Sequence, residues 1–393
     1  MNNYKIKISL LTGGDDPNYA IPLASSLLSQ DIVLDFIGND GMVGEKIFEQ
    51  NNAIYLNFRG NQDENAPFVG KVVRILKYYL RLLKYTATTN SQIFHILWHN
   101  KFIYFDRTFL ILYYKFFGKK IIFTAHNVNE AKRDGTDSLA NRLSLYILYK
   151  LVDHIIVHTD KMKTQLLEDF KVFEKKITVI SFGINPFVPK SSLSYVEAKK
   201  KLSLSPKNKA ILFFGRIASY KGIEYLLQAL AQLIEIDDAY RLIIAGKVNK
   251  GYATYWDNML RIIEMHRLSP FIIPRIEFIP DNDIEIYFKA SDVMVLPYTE
   301  IFQSGPLFLS YFFGLPVIAS DVGSFREDIL VGKTGYIFAP KSSEDLRNKI
   351  EDYFTTDLYR NLVNTRKNII KYANKRYSWG KSADTIFNIY KIL

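Results

Sequence analysis

The stretch Ala210-Ile-Leu-Phe-Phe-Gly-Arg-Ile-Ala-Ser-Tyr-Lys-Gly222 decides the fold. Its apolar run from Ile211 to Phe214 has no polar position, as a strand covered on both faces requires. Gly215 then ends the strand with a residue free of Cβ, and a helical pattern begins after Gly222. Arg216 and Lys221 therefore fall at the carboxyl end of a strand, beside a helix start whose N–H groups favour negative charge. Two cations in that place predict a diphosphate ligand. The bland alternative is a pair of solvated loop charges.

A second stretch has the same grammar. An apolar strand, Asp292-Val-Met-Val-Leu296, runs into Pro297-Tyr-Thr-Glu-Ile-Phe-Gln-Ser-Gly-Pro306. A helix over Leu307 to Phe313 follows, then Gly314-Leu-Pro-Val-Ile-Ala-Ser320. This order of strand, polar turn, helix, Gly-Leu-Pro and strand resembles the donor half of the family 4 glycosyltransferases, enzymes of the GT-B fold. The resemblance covers nearly the whole chain and is more specific in its second half.

The resemblance implies an α/β chain of two Rossmann-like domains, with parallel sheets facing across a cleft. It implies that Arg216 and Lys221 neutralise the diphosphate of a nucleotide-sugar, with Gly215 letting the backbone approach. One departure stands out. The family's two Glu, counted back from the Gly-Leu-Pro, would fall at Ile301 and Leu309, and neither is acidic. The turn carries Glu300 one residue early, and Gln303-Ser304-Gly305, which resembles a variant of the family's loop. Ser304, Gly305 and Leu307 are expected to offer backbone N–H donors. Pro306 suits the first helical turn, and Gln303 and Glu300 supply side-chain groups for sugar hydroxyls.

Length and composition agree with two folded domains: 393 residues, 48% of them apolar. With no cysteine, a disulfide scaffold or thiolate metal site is excluded. The N-terminus carries no signal-peptide pattern, and no apolar run approaches the roughly 20 residues that span a bilayer. The expected location is cytoplasmic, with peripheral attachment to the inner face of the membrane. A net charge of +11 calls for acidic partners. No zinc-finger, RRM or helix-turn-helix pattern is present, so nucleic acid is not expected.

Strands are expected near Tyr4–Leu11, Ile32–Ile37, Ala53–Phe58, Ile93–Trp98, Lys120–Ala125, His154–His158 and Ile177–Ser181, alternating with helices. After the first comes Thr12-Gly13-Gly14-Asp15-Asp16-Pro17. It lacks the glycine spacing of a dinucleotide fingerprint. Under the resemblance, Gly13 and Gly14 face the donor phosphates or the acceptor. His126 follows the fifth strand, with Asn127 and Asn129 beside it, and the family places a His there near the donor phosphate and sugar. It joins Arg216 and Lys221 as the expected catalytic set. His154 and His158 have helical metal-pair spacing but lie in a strand, and are read as structural.

Ser181 to Ser192 is rich in Gly, Pro and Ser, so the domains are expected at 1–188 and 189–376, with a final helix over 377–393 crossing back to the first. In the second domain, strands are expected near Ala210–Phe214, Tyr240–Ala245, Ile276–Ile279, Val293–Leu296 and Pro316–Ser320. Gly246 and Lys247 end the second of these on the edge that carries Gly215. Asp281 and Asp283 have the two-Asp spacing of a metal site but open a helix after Pro280, where Asp is a common cap.

The helix expected over 68–85 has Lys71, Arg74, Lys77, Arg81 and Lys84 within an arc of about 140°. Val72, Val73, Ile75, Leu76, Leu80, Leu82 and Leu83 fill the other side and are expected to pack on the sheet. The basic arc suits an anionic membrane surface.

The chain thus reads as a glycosyltransferase moving a sugar from a UDP- or GDP-sugar to a hydroxyl of a carbohydrate or lipid-linked acceptor. The resemblance implies retention of configuration, no metal or other cofactor, and a place in bacterial polysaccharide or glycolipid synthesis. The competing readings are a non-catalytic nucleotide-sugar binder and a phosphorylase or epimerase on the same fold.

Overall fold

A computed structural model describes residues 5–13, 16–63, 66–133 and 135–393. Gly14 and the residues before Lys5 lie outside the described residues. The chain divides into two units, Met1–Gly183 with Tyr377–Leu393, and Ile184–Arg376.

The first unit holds β1 (Ile6–Leu11), β2 (Ile32–Gly38), β3 (Ala53–Asn57), β4 (Ile93–Ile96), β5 (Lys120–Thr124), β6 (His154–Val157) and β7 (Ile177–Val179). They form one sheet in the order β3-β2-β1-β4-β5-β6-β7, parallel throughout. The second unit holds β8 (Lys209–Phe214), β9 (Tyr240–Ala245), β10 (Ile272–Arg275), β11 (Val293–Leu296), β12 (Val317–Ser320) and β13 (Gly335–Phe338). Their order is β10-β9-β8-β11-β12-β13, again parallel. β11 and β12 are buried at every residue, as sheets with helices on both faces demand. Strand order reverses between β1 and β4, and between β8 and β11. In open parallel sheets, ligands bind beyond the strand carboxyl ends at such switch points.

The domain boundary falls between Gly183 and Ile184, ahead of the expected 188/189 break. The reason is packing. Ile184 and Val188 are buried, and the Ser191 N–H and Oγ bond the Glu285 carboxylate within the second unit. The expected linker is largely the second unit's first segment. The helix Trp379–Ile392 packs in the first unit, where Trp379, Ala383, Ile386 and Tyr390 join Ile8 and Leu10 in the core.

Three sequence expectations need correction. β10 lies at Ile272–Arg275, not Ile276–Ile279. It contains Pro274, which a central strand would reject, but β10 is an edge strand and needs no donor on its open side. β13 was not anticipated, being four residues long and opening on Gly335. The helix Phe68–Thr88 buries Tyr78, Tyr79, Leu82 and Thr86, whereas Val72, Val73, Leu76 and Leu80, expected on the sheet, are exposed.

Below the β8/β11 switch point, the buried Asp292 carboxylate accepts the Ala210 N–H at 2.8 Å and pairs with the Lys199 ammonium at 2.9 Å. That bond fixes the start of β8 beside the start of β11, so the turns at their far ends leave from set positions.

Candidate active site

Both turns singled out by sequence lie at the carboxyl ends of β8 and β11, and they are knitted together. The Thr299 N–H donates to the Tyr220 carbonyl at 2.8 Å. The Lys221 ammonium sits 3.9 Å from the ring centroid of Tyr298, a residue of the other turn. At Gly222, φ is +62° and an added Cβ would lie 2.1 Å from the Pro297 carbonyl oxygen, so this position requires glycine twice over. Gly246 has the same role on the β9 side, where a Cβ would come within 2.0 Å of the Gly215 carbonyl oxygen. The Ile217 N–H bonds the Lys247 carbonyl at 2.9 Å, tying the loop after β8 to the loop after β9.

On this frame Arg216 and Lys247 are exposed, and Lys221 is buried. Glu300 is exposed, and among the described residues no ion pair engages it or Arg216. An ideal Cβ on Gly215 would stand 3.4 Å from Pro306, so the two turns meet at these residues.

The helix after the second turn begins at Gly305 and runs to Phe312, with Ser304 at its cap position and no side-chain cap. The Leu307 N–H, expected to face a ligand, instead bonds the Ser304 carbonyl at 3.1 Å, and Leu307 is buried. Pro306 has no N–H. The open donors are narrowed to the backbone N–H groups of Ser304 and Gly305, which have no backbone partner among the described residues. Beside them, the Gln303 Oε1 is buried and has no hydrogen-bond partner among the described residues. A buried amide oxygen without a partner costs free energy, and a ligand hydroxyl would relieve it. Ile301 and Leu309 are half-buried.

In the first unit, Gly13 lies at the β1/β4 switch point, where a Cβ would meet the Trp98 and His99 carbonyl oxygens at 2.7 Å. His126 stands just past β5, stacked on Trp98 at 4.2 Å and nearly parallel, with the edge of Tyr19 at 4.7 Å and the ring of His158 at 5.2 Å. Its Nε2 has no hydrogen-bond partner among the described residues. Burial, then the neighbouring His158 and His95, hold its pKa well below the ordinary histidine value, so the ring is neutral at pH 7. The sequence reading missed Trp98 and Tyr19, which pack on His126, and Trp379, which packs on Tyr19, because they are far apart in the chain. His154 bonds the Thr178 hydroxyl at 2.8 Å and His158 the Ile180 carbonyl at 3.3 Å, both ordinary sheet contacts. Asp281 and Asp283 lie in the first turn of the helix Asp281–Ala290, after Pro280 at the cap position, with no side-chain cap bond.

These histidines carry a pH prediction. Burial drives His95 down to about 3 and His158 to about 4. Below the unfolded value of about 6.5 the unfolded chain takes up protons that the folded chain refuses, so stability falls as pH drops from there towards the folded values. Each group costs about 1.4 kcal/mol per pH unit in that window. Trp256 is the tryptophan of the second unit and Trp98 and Trp379 those of the first, so a Trp256→Phe variant reports on the first by fluorescence. Its urea midpoint is expected to fall clearly between about pH 7 and about pH 5.5. A midpoint unchanged over that range would show that these rings protonate in place.

The comparisons with known proteins agree with this architecture. Residues 49–186 match the model for Glycosyltransferase Family 4, and residues 195–376 that for glycosyl transferases group 1. A D-inositol 3-phosphate glycosyltransferase of Corynebacterium aurimucosum is 26% identical over 284 residues, 69% of this chain and 65% of the relative. An uncharacterized glycosyltransferase of Methanocaldococcus jannaschii is 28% identical over 244 residues, 61% of this chain and 60% of the relative. The match thus spans just under two thirds of the length of these relatives. Among solved structures, sucrose-phosphate synthase from Thermosynechococcus elongatus superposes with a TM-score of 0.76 at 17% identity, over 98% of each chain. Anabaena HepE, solved with UDP and glucose, gives 0.74 at 16% identity, over 99% of this chain and 100% of that one. Identities this low speak for fold alone. The chain has the GT-B fold, with residues 49–186 similar to the Glycosyltransferase Family 4 model and residues 195–376 similar to the glycosyl transferases group 1 model.

Proposed function

We propose that this chain transfers a hexose from a nucleotide-sugar to a hydroxyl acceptor, with retention of configuration and without a metal. The observation that carries the reading is the pair of interlocked turns at the β8/β11 switch point, with Arg216 exposed and two backbone donors open at Ser304 and Gly305. In the reaction the bond from the anomeric carbon to the diphosphate breaks and a bond to the acceptor oxygen forms. The products are a glycoside, a nucleoside diphosphate and the acceptor's proton. Arg216, Lys221 and the helix start at Ser304–Gly305 are preorganised positive ends facing the charge that grows on the diphosphate, usually the largest catalytic contribution. Solved neighbours in complex with UDP and with UDP-glucose support a uridine nucleotide as the first donor to try. The Gln-Ser-Gly turn takes over from the carboxylates that Ile301 and Leu309 lack. The setting we propose is bacterial polysaccharide or glycolipid synthesis, in the cytoplasm, with the basic helix 68–85 on the inner face of the membrane.

A thermal-shift panel of UDP-, GDP- and ADP-sugars tests the donor class. Ligand at about a hundred times its dissociation constant stabilises by roughly 2.7 kcal/mol. The apolar pair Ile301 and Leu309 favours a second reading, a binder without catalysis. A donor that stabilises the protein but is never turned over would select it, and no stabilisation by any sugar nucleotide would remove both readings.

His126 contributes to turnover rather than to donor affinity under this proposal. His126→Ala is expected to lower kcat at least tenfold while nucleotide affinity changes less than threefold, about 1.4 against 0.7 kcal/mol. Equal activity in that variant would confine His126 to the aromatic cage.

A further inference from the structure

We propose that the first unit carries a lipid-inserting face, formed by the helix Phe68–Thr88 and the neighbouring helical segment 103–116, which sinks into an anionic bilayer leaflet. This deepens the reading of the basic stripe as a membrane contact, and rests on it. The observation is the exposed apolar surface. Val69, Val72, Leu76 and Leu80 recur at helical spacing on one side of the first helix and are all exposed. Phe102, just ahead of the second segment, and Phe109, Leu112 and Phe116 on it are exposed, Phe116 by 83%. Three such phenylalanines present on the order of 300 Å² of apolar surface, already the size of a monomer's largest ordinary patch.

The two segments lie side by side. The Tyr79 ring stacks on Phe102 at 5.5 Å, its hydroxyl bonds the buried Asp106 carboxylate at 2.8 Å, and the Tyr113 hydroxyl bonds the Leu83 carbonyl at 3.2 Å. On the side of these contacts Tyr78, Tyr79 and Leu82 are buried, whereas Val69, Val72, Val73, Leu76 and Leu80 stay bare.

Charge selects the occupant. The helix Phe68–Thr88 contains no acidic residue, and Asp106, the acid of the second segment, is buried. Lys77, Arg81 and Lys84 border the apolar stripe along one edge, and Lys101 precedes Phe102. Among the described residues none of these four forms an ion pair. A symmetric second copy would set like charges against each other, whereas an anionic leaflet accepts apolar side chains in its acyl layer and cations at its headgroups. A hydrophobic face bordered by cations that form no ion pair among the described residues, Arg81 donating only to the Asn57 and Phe58 carbonyls, therefore fits a lipid surface better than itself.

The chain has no cysteine, so single-cysteine Leu80→Cys and Phe116→Cys proteins take one environment-sensitive fluorophore each. Both positions are exposed, and the substitutions spare the core. With vesicles of phosphatidylcholine and phosphatidylglycerol, both labels are expected to shift to the blue and to be quenched by lipids bearing a spin label on the acyl chain. Leu76→Ser with Leu80→Ser and Phe116→Ser is expected to weaken vesicle binding roughly tenfold or more with every cation in place. Vesicle binding with both labels still in water, lost entirely at ~1 M salt, would overturn insertion and leave the charge-only contact standing. Absence of binding to any vesicle would overturn both. A concentration-dependent dimer abolished by the same three substitutions would assign the face to a second copy and overturn the proposal.

Discussion

Arg216→Ala is expected to weaken nucleoside diphosphate binding tenfold to a hundredfold while leaving thermal stability of the unliganded protein unchanged. The side chain is exposed and forms no ion pair among the described residues, so its removal leaves the packing alone. What it removes is a charge-assisted bond to the diphosphate, about 1.5–3 kcal/mol, which corresponds to that range of affinity. Lys221 is a different case, because its buried ammonium lies against the Tyr298 ring and truncation would also cost packing. Lys221→Met keeps the aliphatic body and removes the charge, and is expected to lose affinity by a comparable factor. Titration calorimetry with UDP reads both. Full affinity in both variants, with the fold intact, would leave the turn without its assigned ligand.

The second large effect concerns Gly305. Among the described residues an added Cβ there meets no atom within 4 Å beyond its chain neighbours and its own helix backbone, so the space over this residue is open. If donor phosphate or sugar oxygens occupy that space, the branched side chain of Gly305→Val fills it and donor binding is abolished. Valine before Pro306 also opposes the helical conformation of the first turn, so the unliganded melting temperature must be followed. Gly305→Ala brings a single methyl and is expected to lose affinity in part. Leu309→Ala, on the same helix, is expected to act on stability, by up to about 2 kcal/mol for a half-buried leucine, and not on the nucleotide. A Gly305→Val protein that binds donor normally would move the ligand elsewhere.

The elements that position this site were legible because their signals are local. A run such as Val293–Leu296 has no polar residue and ends in a turn, which fixes both its class and the end at which ligands gather. Gly222 and Gly246 were legible as glycines, although what each approaches, the Pro297 and Gly215 carbonyls, needs the fold. The Leu307 donor was misread because a turn bond to Ser304 uses it, a matter of one residue in where a helix begins. The largest miss was the apolar face of the helix Phe68–Thr88. A periodic pattern tells which residues share a side but not which side the sheet covers, and the contacts of Tyr79 and Leu83 with the next segment decide that. The aromatic cage around His126 was equally hidden, since Tyr19, Trp98 and His158 come from three distant places in the chain.

The most direct measurement is a crystal structure with an intact nucleotide-sugar or its diphosphate bound. Diphosphate oxygens are expected within hydrogen-bond reach, about 2.7–3.2 Å, of Arg216, Lys221 and the backbone N–H groups of Ser304 and Gly305, with a sugar hydroxyl on the Gln303 amide. A donor lying more than about 6 Å from the Gln303–Gly305 turn, well beyond that reach, would contradict this placement.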